Sequence, residues 1–283
     1  MPTKKPSSKS ILSRAQPVHE LKRIITALFY GRSGTGKTTL AGTFPKPMLF
    51  LDIGERGTDS VFDMPGIDSI QVANWGEVEE IYWELINGSK YKTIVIDAAH
   101  TMQALALIEA RELANKKEKD QTSQRDFGQA SGLMNTWIYN YRDLRDEDIN
   151  VVFLAHDRLR EVDTDDEDAS VIMPEMGPRL MPGVAGTLLG AVNVVGYTFI
   201  REELTKSKVA GQKAKREVQY CLRIGPHGIY ATKIRSPKGH EVPEYIVDPS
   251  YDKLVAVIEG KATPRKTAAK PAATKRTVRK ISR

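Results

Sequence analysis

The segment GRSGTGKT, Gly31 to Thr38, is where residue types and spacing most clearly spell a chemistry. It satisfies G-x-x-x-x-G-K-[ST] in full, with an apolar run before it and a helix-forming stretch after it. Gly31, Gly34 and Gly36 let the backbone turn tightly, with Arg32, Ser33 and Thr35 between them, so that successive N–H groups point inward. Such a nest at the positive end of a helix holds anionic oxygen. Lys37 is placed to contact β and γ phosphates, Thr38 to offer its hydroxyl to a hard magnesium ion, and Thr39 to complete the binding segment. The expected ligand is ATP with Mg²⁺.

A triphosphate site of this kind also needs a carboxylate near the metal. Asp97 closes the apolar run KTIVID, where a charge is costly without a partner. Thr38 and Asp97 are therefore the expected metal ligands. Asp52 and Glu55 follow an earlier apolar run, and either can orient the attacking water, with Glu55 the provisional base.

These residues need a frame that brings them to one edge. IITALFY (24–30), PMLFLDI (47–53), KTIVIDA (92–98) and VVFLA (151–155) read as short buried strands. Between them lie helical stretches: one from near Lys37 that stops before Pro45, and one carrying Trp75, Val78, Ile81, Tyr82, Leu85 and Ile86 at helical spacing before Asn87-Gly88. A further helix presents Leu133, Trp137, Tyr141 and Leu144 on one face, its aromatics read as core packing. Alternating strands and helices predict an α/β fold with a mostly parallel central sheet. The acidic stretch 157–183 lacks periodicity and reads as a mobile functional loop. Three β-like runs, 192–200, 216–224 and 228–235, predict antiparallel edge strands near the carboxy terminus, with 203–215 as a connection.

The charge is unevenly spread. Residues 1–23 hold six Lys/Arg against Glu20, for +5, and residues 261–283 hold nine and no acid, for +9. Set against the whole-chain +6, this leaves −8 for residues 24–260, so the basicity belongs to the ends. The expected organisation is a basic tail (1–23), an ATPase domain (24–260) and a second basic tail (261–283) too poor in apolar residues to fold. Such tails attract a polyphosphate backbone or merely aid solubility. The single cysteine, Cys221, excludes an intramolecular disulfide framework and lies in no zinc-type spacing. No segment reads as a signal peptide or membrane span, so the expected location is cytoplasmic, with no membrane partner.

GRSGTGKTTLAGTFPKPMLFLD, KTIVIDA, NVVFLAH and TKIRSPKG together resemble the phage-encoded ATPases built on one RecA-type core, the Sak-type single-strand annealing proteins. The resemblance runs from about Ile24 to Pro249. Its discriminating parts are Phe-Pro-Lys-Pro after the first helix, the His after the fourth strand, and K-x-R. The resemblance implies that His156 senses the γ-phosphate and couples it to the loop that follows. It implies single-stranded DNA as partner, alongside a single-strand-binding protein, with Arg158, Arg160 and Arg179 as DNA contacts; the acidic DTDDED at 163–168 departs from that role. Lys233 and Arg235 match the K-x-R that relatives extend to a neighbouring subunit's γ-phosphate, which implies a homo-oligomer, ring or filament. Two further departures are the spacing Asp52-Ile53-Gly54-Glu55, one residue longer than in relatives, and Ala98 where relatives carry Ser or Thr. Two other functions compete: a small-molecule kinase, which needs an arginine-bearing lid, and a nucleotide-dependent switch with little turnover.

Overall fold

The apolar run ahead of the glycine loop forms β1 (Thr26–Tyr30), in which all five residues are buried. A strand buried on both faces needs parallel neighbours and helices above and below. In the computed structural model, which describes residues 15–20, 22–117, 119–162, 173–205, 215–237 and 239–261, both are present. β5 (Asn150–Ala155) and β8 (Val194–Thr205) flank β1 in parallel. Outside β5 lie β4 (Thr93–Asp97), β2 (Met48–Asp52) and β3 (Ile67–Gln71), also parallel. Outside β8 the sheet turns antiparallel through β9 (Lys215–Arg223) and β11 (Tyr245–Val247), while β10 (Lys233–Ile234) pairs with the start of β8. The order is β11-β9-β8-β1-β5-β4-β2-β3.

Helices cover both faces. α2 (Trp75–Ile86), α3 (Ala99–Leu113), α4 (Gln124–Asp143) and α5 (Pro182–Ala191) bury Val78, Met102, Met134 and Leu188 against one face. α1 (Lys37–Ala41) and α6 (Tyr251–Ile258) bury Leu40 and Leu254 against the other. α2 begins where its periodicity predicts because Asn74 accepts a hydrogen bond from the Glu77 N–H at 3.0 Å, while the Glu77 carboxylate accepts from the Ala73 N–H at 2.7 Å. Trp137 and Tyr141 of α4 are core residues: Tyr82 meets them at ring-centroid distances of 5.3 and 5.6 Å. Among the described residues no helix is long and apolar enough to cross a membrane.

Two expectations need correction. The stretch 157–183 is ordered over much of its length: β6 (Asp157–Val162) and β7 (Met173–Pro178) form an antiparallel hairpin, and α5 follows. Its pairing rests on backbone bonds and on anchors to a distant loop, including Ala231 N–H to Met176 O at 3.0 Å, so no hydrophobic stripe announces it. The residues DTDDED lie outside the described residues. The second correction concerns the place of β8: it pairs antiparallel with β9 as expected, but it lies inside the sheet with β1 parallel on its other side, because α5 carries the chain back across the sheet before it. Within 228–235 only Lys233–Ile234 form a strand, with a bridge between Tyr230 and Met176.

The buried Tyr141 hydroxyl donates to Val78 O at 2.7 Å and ties α4 to α2. Tyr141→Phe removes that bond, leaving Val78 O its partner within α2, and should destabilise the protein by about 1 kcal/mol. Urea denaturation should show a lower midpoint with an unchanged slope.

Candidate nucleotide site

The glycine loop leaves the carboxyl end of β1 between β5 and β8, where neighbouring strands diverge in chain order and a crevice opens. At Gly31 a Cβ would sit 2.4 Å from Thr198 O and 2.5 Å from Thr198 Oγ1, so only glycine lets β8 press this closely. Thr198 is the loop's clamp: its Oγ1 lies 2.7 Å from Thr35 Oγ1, and Thr35 in turn donates to Arg32 O at 2.7 Å. Sequence reasoning missed Thr198, since a lone threonine inside a β-like run carries no signal. Gly36 has φ +84°, and a Cβ there would meet the Tyr220 ring at 3.3 Å. The Lys37 ammonium donates to Gly31 O at 2.9 Å and Arg32 O at 2.8 Å. Burial lowers its pKa, while Asp97 opposes that shift.

Thr38 donates to Asp97 Oδ2 at 3.2 Å. Asp97 is only 6% exposed, and burial raises its pKa to about 6, against the Thr38 bond and with added repulsion from Glu55 and Asp52. A buried carboxylate supported by one hydroxyl fits a hard cation that brings its own charge and waters. Thr38 and Asp97 are thus the pair that would hold magnesium. Asp52 is already engaged: its carboxylate accepts from the Arg56 N–H at 2.8 Å and from Gln71 Nε2 at 2.6 Å. It shapes the turn after β2 and pins β3.

Glu55 is the carboxylate left facing the cavity. Its Oε1 lies 2.9 Å from His100 Nε2 and its Oε2 3.5 Å from His156 Nε2. His156 follows β5, beside the end of β4. His100, in the first turn of α3, went unread in the sequence; its only signal was its place three residues after Asp97. Burial depresses the His100 pKa, the neighbouring His156 and Arg179 charges add to this, and Glu55 opposes it. A cavity of about 630 Å³ joins these groups. Gly34, Lys37, Thr38, Glu55, Asp97 and His156 line it on one side, and Tyr220, Asp248 and Pro249 also border it.

The remaining predicted residues lie apart. Lys233 donates to Leu189 O at 2.7 Å and Gly190 O at 2.9 Å, capping the carboxyl end of α5, and burial lowers its pKa. It sits opposite Val195, whereas the glycine loop adjoins Tyr197, so the strand direction separates it from its own phosphate loop. Arg235 is exposed. Arg158 and Arg179 are exposed as well, but Arg160 folds onto Pro178 O and Leu180 O, both at 3.0 Å, and serves the hairpin's own structure.

At neutral pH the ionised Asp97 costs the nucleotide-free protein stability. Its folded pKa exceeds the unfolded value, so the cost is absent below pH 4 and grows as pH rises through about 6. Asp97→Asn should therefore stabilise the free protein by about 1–2 kcal/mol at pH 7. The same variant should lose the additional thermal stabilisation that Mg-ATP confers, and thermal unfolding with and without Mg-ATP checks both parts.

A family profile described as an AAA domain, AAA_24, matches residues 23–236. No curated protein sequence matches significantly. Among solved structures, the flagellar accessory protein FlaH from Methanocaldococcus jannaschii is similar at 10% identity and a TM-score of 0.39, covering 80% of this chain and 84% of that one. The profile match runs from just before β1 through β10, taking in the glycine loop, Asp97 and His156. The chain belongs to AAA_24, a family of AAA-domain P-loop NTPases.

Proposed function

We propose that this NTPase hydrolyses ATP under the control of single-stranded DNA, as a recombination protein that anneals or pairs strands. The observation that carries the reading is the position of His156, which faces Glu55 across the cavity and leads directly into the β6–β7 hairpin.

The loop N–H groups and Lys37 hold the triphosphate, and magnesium held by Thr38 and Asp97 would neutralise charge on its β and γ oxygens. Glu55 orients a water and accepts its proton as the water oxygen attacks the γ-phosphorus. The bond from that phosphorus to the bridging oxygen breaks, leaving ADP and phosphate. His156 donates to the γ-phosphate and so distinguishes ATP from ADP. Its own carbonyl accepts from the Arg179 N–H at 2.8 Å, so both roots of the hairpin follow its position. The exposed Arg158 and Arg179 suit backbone phosphate contacts, and the basic tails add sequence-independent attraction. The resemblance to Sak-type annealing proteins supports this assignment, as it supports a single-strand-binding protein as a companion. Arg235, exposed and away from its own phosphate loop, suits delivery to a neighbour's γ-phosphate in a homo-oligomer.

ATP hydrolysis should rise with single-stranded DNA, the stimulation should fade with salt, and Lys37→Ala should abolish both rates. A rate indifferent to DNA at every salt concentration would remove the recombination reading. Arg235→Ala should cut the DNA-stimulated rate by about 10³-fold or more with nucleotide affinity intact. An unchanged rate would sink the delivery in trans.

A further inference from the structure

We infer that Glu55, His100 and His156 form a site for a transition-metal ion of the zinc class, separate from the magnesium pair Thr38 and Asp97. The ligand atoms of the three residues all lie within 4.8 Å of one another. Ligands bound about 2.1 Å from a tetrahedral centre stand about 3.4 Å apart. The His100–Glu55 and His156–Glu55 separations, 2.9 and 3.5 Å, are already near that value, and the two rings are 4.7 Å apart between centroids.

The donor set selects the ion. Two imidazole nitrogens and one carboxylate suit zinc, cobalt or manganese, whereas magnesium takes oxygen donors and keeps its waters. The imidazoles must be neutral to bind. Each ligand stands on a different element: the turn after β2, the first turn of α3 and the end of β5. Glu55 and His156 both line the cavity, so the ion has an entry path. Two features limit affinity. The buried His100 Nδ1 has no hydrogen-bond partner to orient the ring, and the nearby Arg179 repels a cation.

The effect on turnover rests on the proposed roles of Glu55 and His156, although binding does not. An ion held here takes the Glu55 carboxylate from the attacking water and the His156 imidazole from the γ-phosphate. Loading therefore arrests hydrolysis while leaving the phosphate loop free to hold ATP.

The test uses the full chain stripped of metal, without nucleotide. Cobalt is titrated with its visible absorption as readout, and zinc is titrated by calorimetry. The expected result is one ion per chain, an intense low-symmetry cobalt spectrum, and affinity weakened about 10-fold or more by His100→Gln and by His156→Gln. Circular dichroism confirms that both variants remain folded. A spectrum that stays that of the hydrated ion overturns the site, as does binding that survives both substitutions. Hydrolysis of Mg-ATP is then followed with and without zinc, using a chelator that removes zinc and spares magnesium for reversal. Turnover without zinc binding overturns the metal site and leaves the ATPase reading standing. Zinc binding lost in both variants, in a chain that never hydrolyses ATP, upholds the site and removes the ATPase reading instead.

Discussion

Asp97 keeps an ionisable group at the end of a strand whose other residues are almost waterless, and much of the surrounding architecture accommodates it. β4 places it there because β2 and β5 lie on either side in register, with Asp52 opposite Asp97 on one flank and Leu154 on the other. Thr38 reaches it only because the glycine loop turns tightly enough to start α1 beside β4's end. The loop holds that turn because β8 presses Thr198 against Gly31 and Thr35. A charge that is unfavourable for folding thus explains why a parallel strand, a glycine and a threonine converge where they do. Sites of this kind give up stability for an interaction made only with ligand present.

The parallel half of the sheet was legible because strands buried on both faces are written as unbroken apolar runs, and the helical spacing of Trp75, Val78, Ile81 and Leu85 marked α2. The P-loop and Asp97 were legible for a different reason: their chemistry dictates both residue type and place. What the sequence withheld was everything fixed by pairing across long separations. Thr198 contacts the loop from far along the chain, the β6–β7 hairpin is held by backbone bonds that carry no side-chain pattern, and His100 gains meaning only when Glu55 and His156 arrive from other elements.

Basic residues illustrate the same limit. Read in sequence, Arg158, Arg160, Arg179, Lys233 and Arg235 are equivalent cations at strand ends. In the fold, Arg160 and Lys233 are consumed by carbonyl groups of their own chain, and three remain exposed. Carbonyls at the end of α5 and around the end of β7 had acceptor capacity to spare, and long cationic side chains fill it while keeping part of their length in water.

The bond from Arg179 to His156 closes the base of the hairpin and ties its two roots together. Strands of six residues at about 3.3 Å each extend roughly 20 Å from a base about 5 Å wide. Backbone bonds from Met176 to Ile229 and Ala231 tie that ribbon to the segment before β10, so a shift at its root is shared with that segment.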